Sequence, residues 1–124
     1  MSIILSENDK NELSINAWNW GVVHHLINKA GILPDEVWEP KRYNGGGDLT
    51  HEQVATVVKY LKSEVLPRLK AGERMFPDGK TTRTPDDGTM YRGDDAWKNY
   101  SLNHEVLTKL IAFLEGTNGS VTFC

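Results

Sequence analysis

Apolar positions recur along this chain mainly with the period of a helix. At 100° per residue, Ile15, Val22, Val23, Leu26 and Ala30 share one face of a segment running from about Glu12 or Ser14 to Ala30. Trp18 and Ile27 lie at the margins of that face, and Gly31 is placed to stop the helix in a left-handed cap. Gly21 in the middle costs about 1 kcal/mol in helix propensity, so it predicts a close approach by a neighbouring group. A second stripe of Val54, Val57, Val58, Leu61, Val65 and Leu69 follows Thr50-His51-Glu52-Gln53, the spacing of a capping box. Pro67 lacks the amide that would bond to Ser63, so a kink or break is expected near Leu66. A third stripe runs from about Leu102 to Glu115. Leu102, Val106, Leu110, Phe113 and Leu114 line it, with Leu107 and Ile111 beside them, Ser101 or Asn103 as cap and Gly116 as stop.

Two stretches break this pattern. Residues 32–48 hold Pro34, Pro40 and Asn44-Gly45-Gly46-Gly47, while residues 72–100 hold the turn signals Pro77-Asp78-Gly79 and Pro85-Asp86-Asp87-Gly88. Proline and glycine recur there too often for a helix, and the threonine- and aromatic-rich runs beside the turns suit a small irregular hairpin or meander. Ile3-Ile4-Leu5 and the run from Ser120 to Cys124 each suit a short strand. The expected fold is mainly α with a minor β component: a three-helix core, a loop or hairpin region and short terminal strands, in a single globular domain over residues 1–124.

Composition narrows the class. A chain of 124 residues that is 39% apolar and 25% charged is neither disordered nor fibrous and has enough material for a core. No apolar run reaches the roughly 18 residues of a membrane helix. The opening Met1-Ser2-Ile3-Ile4-Leu5-Ser6-Glu7 has no basic region and turns acidic too early for a signal peptide, so a cytoplasmic location is expected. Fourteen basic and 17 acidic residues give a net charge of −3, with no block of one sign. Nucleic-acid binding, which relies on a basic face, is therefore not expected. Cys124 is the only cysteine, which excludes an internal disulfide, and at a fraying chain end it makes a poor nucleophile.

The strings Asn16-Ala17-Trp18-Asn19-Trp20, Asp86-Asp87-Gly88-Thr89, Asn99-Tyr100-Ser101 and Gly119…Val121…Cys124 together resemble those of a group of small bacterial proteins, over most of the chain. The resemblance implies a bacterial, cytoplasmic origin. It implies no particular activity.

Candidate chemistry is sparse. His25, His51 and His104 lie near the margins of three different helical stripes, so a bundle has the means to gather them at one end as ligands of a divalent metal, with Glu52 or Glu105 as base or fourth ligand. Against this, no His-Glu-x-x-His pair sets two ligands on one helix face, and boundary packing accounts for the same imidazoles. The glycine run lacks the lysine of a phosphate loop and places Asp48 where a phosphate would sit. The aspartates of residues 78–95 share their segment with Arg74, Lys80, Arg83, Arg92 and Lys98 and read as turn formers. Four tryptophans remain. Trp20, well off its helix stripe, together with Trp38 and Tyr43 in the first loop, have the composition of a recognition surface, or of rings that anchor a long loop. No nucleophile–base arrangement and no cofactor loop is legible, so no enzyme is assigned. The leading expectation is a non-catalytic module that binds another protein, immunity-like or regulatory, through Trp20, Trp38 and Tyr43. The alternative is a metal-binding protein or metal-dependent enzyme using His25, His51 and His104.

Overall fold

A computed structural model describes residues 2–7, 11–42, 46–84 and 90–124. The chain starts in a hairpin, β1 (Ser2–Glu7) and β2 (Asn11–Asn16), whose register sets Ile3 opposite Ile15 and Leu5 opposite Leu13. Period-two alternation turns Ile3, Leu5 and Ile15 inward and leaves Ile4 and Ser14 outside. Ile15 thus belongs to a strand and not to the first helix. That helix, α1 (Ala17–Ala30), begins where the Asn16 side chain accepts from the Asn19 amide at 2.9 Å, and it ends as expected at Gly31, φ 65°. Gly21 is explained by the expected close approach: a Cβ there would stand 2.7 Å from the Tyr100 ring.

A short helix α2 (Asp35–Trp38) runs into a 3-10 turn over Glu39–Arg42, and both pack on α1. After β3 (Asp48–Leu49) comes α3 (His51–Tyr60), with the Thr50–Gln53 capping box formed in both directions. Ahead of Pro67 the helix widens into a π turn over Leu61–Val65, with the Leu66 amide reaching Leu61, then tightens into a 3-10 turn over Leu66–Arg68. The irregularity falls where proline removes a donor, yet Leu61, Val65 and Leu69 all stay buried. Strands β4 (Arg74–Met75) and β5 (Thr81–Thr82) flank the Pro77-Asp78-Gly79 turn, and β6 (Leu102–Asn103) leads into α4 (His104–Glu115). Asn103 caps α4 by accepting from the Val106 amide at 2.8 Å. β7 (Val121–Phe123) closes the fold.

The strands form two antiparallel sheets, ordered β2-β1-β7-β3 and β5-β4-β6. The core lies between the first sheet, which contributes Ile3, Leu5, Ile15, Leu49, Val121 and Phe123, and the helices α1, α3 and α4. This corrects the expected mainly α, three-helix architecture: the protein is mixed α and β, with two small antiparallel sheets. The physical reason is length. β3, β4, β5 and β6 have two residues each, too few for any period-two signal, and β2 lies inside a pattern that also satisfies a helix. Residues 72–100 were expected to hold no helix, and this too is corrected, since Gly93–Asn99 forms a 3-10 helix. The second turn signal, Pro85 to Gly88, lies outside the described residues.

Candidate binding surface

Trp20 and Trp38 are each 1% exposed, so neither is a surface contact. Both are anchors that hold the segment 34–42 against α1. The Trp20 indole donates to the Lys41 carbonyl at 2.6 Å and the Trp38 indole to the His24 carbonyl at 3.0 Å. His24 lies flat on Trp38, centroids 5.0 Å apart and planes 9° apart, and the Phe123 ring closes the cluster. His24 Nε2 is 2.8 Å from the Trp38 carbonyl, which can only accept, so the proton sits on Nε2. Burial holds the His24 imidazole below its ordinary pKa, and the Arg42 charge adds to the effect. Beside it Lys41, 3% exposed, donates to the Val37 carbonyl at 2.6 Å and lies over the Phe123 ring. Burial lowers the Lys41 pKa, with Asp48 opposing. Every polar tip in the cluster is turned to a carbonyl, which is how large amphipathic rings become interior groups. Tyr43, the third expected contact, lies outside the described residues.

The histidines are not brought together. His25 is exposed on α1, His51 lines a groove between α3 and the end of α4, and His104 lines a separate cleft at the start of α4. Among the described residues no three His, Cys, Asp or Glu side chains are grouped to hold a metal ion. The expected convergence of His25, His51 and His104 is therefore corrected: His25 faces outward from α1, and His51 and His104 line two separate grooves.

The exposed aromatics are others. Trp18 is 42% and Trp97 40% exposed, with Met90 and Tyr91 also outside. Trp18 meets Tyr100 at a tilt of 59°, centroids 5.0 Å apart, and the Arg42 guanidinium covers the same tyrosine ring at 5.2 Å. Trp97 meets Phe76 edge to face at 5.5 Å, and Lys98 lies over both Trp97 and Tyr91. Arg74 joins the two pairs. Its guanidinium lies 4.9 Å from the Phe76 centroid, and it also lines the cleft that holds Trp18.

That cleft measures about 470 Å³ and opens where α1 and α4 both begin. Its floor is a chain of carboxamides. Asn19 donates to the Asn16 side chain at 3.0 Å and accepts from the Asn103 amide at 2.9 Å, so one asparagine ties the two helix starts together. Glu73, Arg74 and Glu105 all line it, so the walls carry charges of both signs. Ser101 and His104 share the wall, with no hydrogen bond between them among the described residues. The cleft offers a ring face, carboxamides and one guanidinium, the equipment for holding a ligand. The larger groove between α3 and α4, about 550 Å³, has a Val54, Val58 and Leu114 floor and a Lys62–Glu115 ion pair, but no aromatic anchor.

Periodicity singles out none of Arg74, Phe76 and Trp97, since they stand in or beside a two-residue strand and a 3-10 helix, elements too short or too irregular to carry a repeating pattern. Trp18 was legible in part: two helical residues apart is 200° of rotation, so Trp18 and Trp20 cannot both face inward. No protein-family model, curated protein or solved structure matches the chain. No helix among the described residues is long and apolar enough to cross a membrane.

Proposed function

We propose that the protein is a non-catalytic, cytoplasmic binding module, immunity-like or regulatory, that takes a segment of a partner protein into the cleft between the starts of α1 and α4. The observation that carries this reading is the pair of exposed rings Trp18 and Trp97, backed by half-buried Tyr100, Arg74 and Phe76, at and beside that cleft. Tryptophan, tyrosine and arginine dominate binding energy because they bury much area while few torsions freeze. These rings are also held in place before binding by one another and by Arg42, Arg74 and Lys98, which reduces the ordering cost. The carboxamide floor suits backbone amides and carbonyls of an extended or looped segment, and the near-neutral charge favours an uncharged segment with an apolar side chain against Trp18. Glu73 and Glu105, which line the same cleft as Arg74, disfavour a phosphate backbone.

The test is affinity for a partner isolated with the wild-type protein and measured by calorimetry. Trp18→Ala and Trp97→Ala are each expected to weaken binding at least tenfold, about 1.4 kcal/mol or more, with little change in folding. Unchanged affinity in both variants overturns the assignment of this surface.

A further inference from the structure

We propose that β2 pairs with the β2 of a second copy of this chain, joining two four-stranded sheets edge to edge about a two-fold axis at Ser14. β2 is the outermost strand of its sheet, six residues long, and matched to β1 by six consecutive pairs without a bulge. It contains no proline, and its only charged residue is Glu12, so it lacks most of the devices that keep a strand edge from pairing. This inference is independent of the cleft, since it rests on backbone hydrogen bonding.

The register can be derived. Ile4 exchanges both backbone hydrogen bonds with Cys124, at 3.0 and 2.9 Å, so the Ile4 groups point to β7 and those of Ile3, Leu5 and Glu7 point to β2. Their partners Ile15, Leu13 and Asn11 therefore bond inward. The amides and carbonyls of Glu12 and Ser14, and the Asn16 amide, face the open edge, where they meet no partner among the described residues. An antiparallel copy that keeps the same face inward must pair residues of like parity. With the axis at Ser14, Ser14 meets Ser14 and Glu12 meets Asn16, which uses all three outward residues. Leu13 meets Ile15 on the inner face, and no two glutamates oppose each other. An axis at Leu13 would use only Glu12 and Ser14 of these, and one at Glu12 would set the two glutamates face to face. Half-buried Leu13 and Phe113, packed against the core, give apolar contact just inside this edge.

The experiment uses full-length chains with Cys124→Ser as background, to remove the native thiol. Ser14→Cys places two thiols across the axis with Cα atoms about 5.5 Å apart, within disulfide reach. Leu13→Cys places them about 8 Å apart, too far to bridge. Mild oxidation should cross-link the first and spare the second. In sedimentation equilibrium the wild-type chain should show a concentration-dependent dimer. Ser14→Lys, whose side chain is solvent-exposed in the single copy, should raise the dissociation constant at least tenfold without moving the thermal midpoint. The proposal is overturned if the wild type remains a monomer at millimolar concentration, if both cysteine variants cross-link equally, or if Ser14→Lys dimerises as the wild type does.

Discussion

Trp20 and Trp38 on one side, and Trp18 and Trp97 on the other, are chemically identical groups in opposite roles. The first pair is sealed: each indole N–H is turned to a main-chain carbonyl, and the rings pack on each other, on His24 and on Phe123. The second pair packs on Tyr100 at a tilt and on Phe76 edge to face, and both rings stay exposed. Trp18 and Trp20 are two residues apart on one helix, so the difference cannot come from composition or local propensity. It comes from what lies over each ring. Segment 34–42 folds back on the Trp20 side, while the Trp18 side is left to a cleft. An aromatic residue becomes an anchor or a contact according to where the chain's long connections land.

The largest effect is expected for Trp38→Ala, which empties a fully buried site and takes away the ring that His24 stacks on. Chemical denaturation should show a loss of about 3–5 kcal/mol, enough to leave a marginal fold. A loss below about 1 kcal/mol would mean that this cluster does not hold the segment as described. Acidification should act on the same cluster. The folded His24 resists protonation because burial disfavours its charged form, whereas the unfolded chain takes up a proton near pH 6.5. Stability should therefore be at its plateau above that pH and fall as the pH drops below it, until the folded ring also protonates. Urea midpoints compared between pH 7.5 and 5.5 should show this fall, and it should shrink in His24→Gln. The smallest effect belongs to the exposed pair: Trp18→Ala and Trp97→Ala should each cost about 1 kcal/mol or less of folding stability. Should either approach the Trp38→Ala loss, the ring concerned is structural and the distinction between anchor and contact fails.

Local signals were the readable part of this fold. The Thr50–Gln53 capping box, the Gly31 stop, the disturbance ahead of Pro67 and the tight fit at Gly21 were each legible because a few neighbouring residues decide them. Strand-like runs at Ile3-Ile4-Leu5 and from Ser120 to Cys124 were legible too, as β1 and β7 show. Their meeting was not, since residues 4 and 124 find each other only when the sheet closes. The candidate site followed the same division. The tryptophans stood out in the sequence, but that Trp20 and Trp38 would be buried while Trp18 stayed exposed depended on which side of α1 the segment 34–42 would cover.

Periodicity, caps and turns, being properties of short windows, were thus written into the chain itself: that α1, α3 and α4 exist, where α1 stops and where α3 is capped, though not where α1 begins. Tertiary structure alone decided that a four-stranded sheet would pack against the helices, that His25, His51 and His104 would lie at separate places, and which tryptophans would stay wet. Those outcomes depend on contacts between residues far apart in sequence, and burial is a property of what packs above a side chain, which no window of neighbours contains.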